Sequence, residues 1–403
     1  MRRIPTMNKK KTAILFHALC LSLIIFATET GAASAQLRPD QLHTYLKHGI
    51  EKIFNLERRD ASIYLQKAVD MDRENPIGYA FSALEDLFFY EISLDQKERE
   101  KYQESMLRYV SEAVARGQMR IEKNPNDGQA YFATALAKII KVRWAIGQKQ
   151  YRIVAQETSN IWDYLEKARR EDPNNYDTYF LMGLLHYHID HLPALSRFFS
   201  SLLIASGDSK KGLQELELAA QNGDLLKELA QSELASVYVN FEKEPARALS
   251  IARELKGRFP RNYNFSFALA NALSELHYFK EAFATAREIE RGIQAGTPPF
   301  ALQLQPRLDQ LMGRIFFDEG EYARASEYLE RTLKDRVPYN ARVRAWALVH
   351  LGMIHDVLNE REQAEEYYNR ALAEPGGEGF AQVEARKYLD SPYVPPPKLR
   401  GRE

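Results

Sequence analysis

Cysteine is almost missing from this chain: Cys20 is the only one in 403 residues, and it lies inside an N-terminal apolar run. With no second cysteine, an intrachain disulfide framework is excluded. A bias of charge toward one sign is missing too, since 55 Lys and Arg balance 55 Asp and Glu. That balance speaks against a nucleic-acid partner. The G-x-S-x-G nucleophile elbow and the complete G-x-x-x-x-G-K-[ST] phosphate loop are both absent. What is present is ordinary for a soluble helical protein, at 45% hydrophobic and 27% charged residues, so the chain can bury a core rather than stay disordered.

The N-terminus departs from the rest. Arg2, Arg3, Lys9, Lys10 and Lys11 precede an apolar run from Thr12 to about Phe26, and small residues follow, ending Ala33, Ser34 and Ala35. This is the order of a secretory signal peptide over residues 1–35. Cleavage near Ala35 is expected to leave Gln36 as the first mature residue, in the periplasm or outside the cell. The alternative is a retained anchor, against which the run falls short of the ~20 residues that span a bilayer. Cys20 sits within the run and not at its end, where a lipid-attachment cysteine belongs. Processing would leave 50 basic against 54 acidic residues, a net charge of −4, and no cysteine. Stability must then come from packing between helices.

Two stretches share one pattern. Leu348, Leu351, Gly352 and His355 precede Ala364, Tyr368 and Ala371, with Pro375 after them. Asp309, Met312, Gly313 and Phe316 precede Ala325, Leu329 and Thr332, with Pro338 closing. The interval from glycine to alanine is the same in both. This resembles the tetratricopeptide repeat, with its W-x-x-L-G-x-x-Y, A-x-x-x-F and P signature. Small residues let two helices cross closely, large apolar ones fill the seam between hairpins, and proline stops the second helix. Weaker copies carry Ala135, Gly183, Ala235 and Ala270 at the anchor position, and Ala61, Leu65, Ala68 and Pro76 look like the second helix of a first copy.

The resemblance implies an all-α, right-handed solenoid of seven or eight helix-turn-helix hairpins over residues 36–390, with the best repeats at 303–338 and 342–375. The block from Asp172 to Gly223 is similar to a bacterial subgroup with a longer connection after the first helix. Residues 95–123 read as one long helix with Met106, Tyr109, Val110 and Ala113 on its apolar face, Gly292 to Pro299 as a loop, and Phe380 to Leu389 as a capping helix. The proline-rich basic tail, 391–403, is expected to be extended and mobile.

Few residues suggest chemistry. His186, His188, Asp190 and His191 have helical spacings that metal sites use, but they cannot all point one way, and His186 occupies a seam position of the repeat. Gly207, Asp208 and Gly212 read as a turn and a capped helix start. Glu215 and Glu217, like Glu365 and Glu366, are spaced so as not to face one another and read as solvated. No catalytic residue, cofactor or metal is therefore expected.

In the resembled family, partners enter the concave surface formed by the first helices. Counting from the anchors, the inward positions are Asn264, Phe267, Asn271, Arg307, Gln310, Arg314, Trp346, Met353 and Asp356. The two asparagines suit the backbone of an extended peptide, and the two arginines suit a carboxylate. The lysine and asparagine ladder with which some relatives clamp a C-terminal carboxylate is incomplete here. Upstream the inner face is apolar, with Phe132, Leu136, Phe180, Leu184 and Tyr187, and would take an amphipathic helix or be covered by the chain itself. The expected function is a non-catalytic, exported scaffold of the bacterial cell envelope, peripherally associated with it and holding a protein or peptide. The alternatives are a glycan- or lipid-handling enzyme or accessory with Trp346 and Tyr187 stacking on substrate, and a structural subunit of an outer-membrane assembly.

Overall fold

A computed structural model describes residues 41–158, 160–191, 207–296, 298–335, 340–377 and 379–395. The expected signal peptide, Cys20, Pro338 and the last eight residues lie outside the described residues, as do the side chains of Asp190 and His191.

Among the described residues the chain is helical throughout and has no strand. Helix α1 (41–54) pairs with α2 (Arg58–Met71), and α3 (Pro76–Ile92) with α4 (Gln96–Lys123). The third hairpin is α5 (Gly128–Gly147) with the short α6 (Tyr151–Thr158) and α7 (Ile161–Glu171). The fourth is α8 (Tyr176–His191) with α9 (Ser209–Asn222), and the fifth α10 (Lys227–Asn240) with α11 (Pro245–Arg258). The last three are α12 (Tyr263–Glu275) with α13 (Phe279–Ala295), α14 (Gln305–Glu319) with α15 (Tyr322–Leu333), and α16 (Ala341–Val357) with α17 (Arg361–Ala373). Helix α18 (Phe380–Asp390) caps the array. This is an all-α solenoid of eight hairpins.

Small residues stand at the helix crossings. A side chain at Gly352 would run into the Tyr368 ring, and one at Gly313 would come 2.7 Å from Leu329. In the fourth hairpin the crossing is backbone on backbone. A Cβ on Gly212 would lie 2.5 Å from the Tyr187 nitrogen, and one on Gly183 would lie 3.0 Å from the Gly212 carbonyl oxygen.

One device repeats at the turn inside the hairpins. Leu56, Lys149, His277, Gly320 and Asn359 are left-handed, with φ between 56° and 89°. In each case the next N–H donates to the carbonyl five residues back, as Glu321 does to Phe316 at 2.8 Å and Glu360 to His355 at 2.8 Å. That is the bond that closes a Schellman-type helix end. Between hairpins, side chains cap the new first helix: Asn75 accepts from Ile77 N, Asp127 from Ala130 N and Asn262 from Asn264 N. The buried Asp177 takes the N–H groups of Asp224, Leu225 and Leu226 at 2.8–3.0 Å, fixing the turn that starts α10.

The superhelix returns on itself at two places. Phe54 of α1 lies 5.4 Å from Phe259 and 6.1 Å from Phe265, Asn262 donates to the Phe54 carbonyl at 2.9 Å, and Lys47 pairs with Asp224 at 2.7 Å. At the other end Phe380 meets Phe241 edge-on at 4.4 Å.

Three expectations change. Gly292 belongs to α13, which runs to Ala295 before the left-handed Gly296 ends it. Glu215 is buried and paired with His186 at 2.6 Å, and Glu217 accepts from Tyr238 Oη and Arg247, so neither is a freely solvated carboxylate. Within the tail, Tyr393 packs against the last hairpins, its ring on Phe317 and its N–H on Asp356.

Candidate concave-face site

The first helices of hairpins six to eight carry the candidate groove. Arg307 Nη1 donates to Asn264 Oδ1 at 2.7 Å, and Arg314 Nη1 to Asn271 Oδ1 at 3.3 Å. Each pair joins α12 to α14 across the same sequence separation, so repetition of the hairpin places them as successive rungs. The expected inner residues therefore meet, but as partners of one another. Asn264, Asn271, Arg307, Gln310, Arg314 and Trp346 remain partly exposed.

Three expected site residues are corrected. Phe267 is buried, with the Arg307 guanidinium 4.1 Å above its ring. Met353 is buried as well. Asp356 keeps only 1% of its side chain exposed. It accepts from Tyr368 Oη and from the Tyr393 main-chain N–H, each at 2.8 Å, and pairs with Arg361 at 3.0 Å. These side chains are buried against neighbouring side chains and are not presented to the groove.

The sequence reading also missed four inner residues one turn further along the same helices: Ser274, Glu275, Phe317 and Asp318. Arg314 pairs with Glu275 and lies 3.7 Å from Asp318, while Ser274 Oγ donates to Asp318 at 2.6 Å. Burial pushes the Asp318 carboxyl up to about 6 against the opposing pull of Arg314. Burial, then the Arg314 charge, pull His350 down to about 4, so its imidazole is neutral at neutral pH. The Arg314 Nε is buried without a hydrogen-bond partner. Counting four residues on from Asn271 and Arg314 would have found Glu275 and Asp318.

Upstream, Phe132, Leu136, Phe180 and Tyr187 are buried and Leu184 is partly buried, so the chain itself covers most of that apolar strip. Tyr187 Oη donates to Glu242 at 2.5 Å, which removes it as a stacking residue for a glycan. A polar group stands nearby. Glu91 and Arg143 form a two-bond pair at 2.6 and 2.9 Å, and His188 contacts Glu233 at 2.8 Å. Burial works against the Glu233 charge, but the His188 contact and the Arg143 charge outweigh it and hold the carboxyl below its usual range.

His186 is packed edge-on against Trp162 at 4.6 Å and held by Glu215. Among the described residues no group of three or more His, Cys, Asp or Glu is arranged to hold a metal ion. None of the described helices is long and apolar enough to cross a membrane. On the outer side, between α2 and α4, a cavity of about 490 Å³ is lined by Arg58, Ser62, Lys67, Glu85, Asp86 and Tyr109, among others. Burial pushes Glu85 up to about 7, opposed by a hydrogen bond from Ser62, and raises Asp86 also.

No protein-family model matches the chain, and no curated protein matches it. Solved structures similar to it include yeast Tom70, at 11% identity and TM-score 0.38, over 92% of this chain and 86% of that one. A tetratricopeptide repeat protein from Parabacteroides merdae is similar at 12% identity and TM-score 0.33, over 77% of this chain and 99% of that one. Human IFIT1, a dimer with PPP-AAAA, is similar at 14% identity and TM-score 0.32, over 83% and 94%. The tetratricopeptide-like character of this chain rests on its own hairpins, crossings and turns.

Proposed function

We propose that the protein is an exported, non-catalytic scaffold of the cell envelope that holds a protein or peptide segment on the concave face of hairpins six to eight. One observation carries this reading: successive first helices bring Asn264 with Arg307, and Asn271 with Arg314, into a row of partly exposed donors and acceptors. Amide side chains offer both kinds of hydrogen bond, which is what the backbone of an extended segment needs along its length. Gln310, partly exposed, lies between the rungs.

The export half of the proposal rests on the charged, apolar and small-residue order of residues 1–35. Fractionation followed by mass determination of the mature chain tests it, with Gln36 as the expected first residue. A full-length protein recovered from the cytosol would sink it.

A photo-crosslinking amino acid at Gln310, on the inner face, and another at Arg291, exposed on α13, test the binding half in intact cells. One reproducible adduct from Gln310 and none from Arg291 is the expected outcome, and Asn271→Ala with Arg314→Ala should diminish it. Identical adducts from both positions, or none from Gln310, would reject the groove.

A further inference from the structure

One residue of the chain's own tail already sits against the C-terminal ends of α14 and α16. After α18, residues 391–395 run without regular secondary structure back over the last two hairpins. Ser391, Pro392, Val394 and Pro395 are exposed, and Tyr393 alone is partly buried. Its ring lies 5.6 Å from Phe317 and 5.3 Å, edge-on, from Tyr388. Its N–H donates to Asp356 Oδ2 at 2.8 Å, and just before it Arg361 Nη2 holds the Leu389 carbonyl at 2.8 Å.

This is an arrangement of anchor and frame. Asp356 is fixed from behind by Tyr368 and Arg361, so the acceptor for the Tyr393 N–H stays in place whether or not that N–H is there. Phe317 belongs to the inner face of α14 and also meets His350 at 5.4 Å and Tyr322 at 5.8 Å. Burial, followed by the nearby carboxylate of Asp318, raises the Tyr393 hydroxyl and keeps it a neutral donor. A single aromatic ring in a pocket, flanked by prolines that are already extended, is an inexpensive way to dock a peptide, since little chain entropy remains to be lost.

We propose that the slot between Phe317, Asp318, Asp356 and Tyr388 is a recognition site for a tyrosine within an extended, proline-flanked peptide, and that residues 391–395 occupy it in cis. The inference deepens the groove reading above and rests on it: a partner with a matching segment would displace the tail. An intramolecular occupant on a short tether competes at an effective concentration on the order of millimolar, so a dilute free peptide loses to it.

A fluorescent synthetic peptide with the sequence of residues 391–395, and a second with alanine in place of its tyrosine, provide the test by polarisation. Full-length Tyr393→Ala should bind the tyrosine peptide at least about tenfold more tightly than wild type, because the tethered competitor is gone. The alanine peptide should bind neither protein. Equal binding of the tyrosine peptide to both proteins, or none to Tyr393→Ala, would overturn the proposal. If Tyr393→Ala proves unfolded by circular dichroism, the variant Pro392→Gly with Pro395→Gly takes its place. Both prolines are exposed, so loosening the tail there should raise peptide affinity a few-fold over wild type, and no rise overturns the idea. The crosslinking from Gln310 is independent: peptide binding without an adduct refutes the groove's cellular role and leaves the slot standing, and the converse refutes only the slot.

Discussion

The third hairpin and the seventh use the same left-handed turn, yet their first helices face different surroundings. In α5 every residue from Ala130 to Lys138 is buried, and in α3 so is every residue from Pro76 to Ala83. Helices α12 and α14 mix buried and partly exposed positions, and the partly exposed ones include the asparagines and arginines of the groove. A helix that is covered all round has no face left for a partner, while a helix with one polar stripe does. The first helices of the sixth and seventh hairpins thus keep a face able to receive a ligand, whereas in the eighth every residue from Ala347 to Ile354 is buried, as in the upstream ones.

The largest effect should come from the crossings. A Cβ on Gly212 meets main-chain atoms of Tyr187, which cannot move without shifting α8, whereas one on Gly352 meets the Tyr368 ring, which can tilt. Gly212→Ala is expected to cost about 3 kcal/mol and Gly352→Ala about 1–2 kcal/mol, as overpacking against rigid and adjustable neighbours respectively. Urea titration of both, with Gly257→Ala as the unhindered control in α11, decides it. A Gly352 variant worse than the Gly212 variant would reverse the ranking of the two regions.

Next in size are opposite responses to pH. Glu85 is raised from 4.5 to about 7 in the folded chain, so its contribution is complete below about 4.5 and is lost as pH rises through about 7. Glu85→Gln keeps the contact with Ser62 and removes that loss. It should be more stable than wild type by about 2–3 kcal/mol at pH 8 and no different at pH 4. His350 runs the other way: depressed from 6.5 to about 4, it weakens the fold only as pH falls below about 6.5. His350→Phe should hold its stability across that window while wild type declines. Thermal melts from pH 4 to pH 8 separate the two, and parallel curves for Glu85→Gln and wild type would refute the burial argument for the upstream hairpins.

The repeat was legible in the sequence where glycine, alanine and proline coincide, because close helix crossing tolerates few residue types. Counting along a helix named Asn264, Asn271, Arg307 and Arg314 as inner positions, but not that the arginines would pair with the asparagines across the groove. Phe267, Met353 and Asp356 were misplaced because a residue near the edge of a helical stripe can turn into either seam, and the choice depends on the neighbouring hairpin. Tyr393 could not have been found by periodicity at all. Its place is set by a carboxylate 37 residues earlier in the chain and by an aromatic ring on another hairpin.

The smallest effect tests the turn that both regions share. At the end of the first helix, Gly320 has φ 89° and Asn359 φ 60°, residue types that tolerate the left-handed region. Lys149 and His277 do not favour it, so the sequence conceals a turn that the fold repeats. Lys243 at φ 55° bends the fifth hairpin with a wider closure, from the Glu244 N–H to the Tyr238 carbonyl six residues back. A side chain with a Cβ loses about 1 kcal/mol in this conformation relative to glycine. Glycine also gives up more freedom on folding, which offsets part of the gain. Lys243 is exposed, and Lys243→Gly should therefore stabilise the protein by about 0.5 kcal/mol, while Gly320→Ala should destabilise it by about 1 kcal/mol. Chemical denaturation of the two variants resolves changes of this size. If Lys243→Gly destabilises the chain, the left-handed residue of the fifth hairpin is not under strain that glycine relieves, and contacts of the lysine stem hold that bend instead.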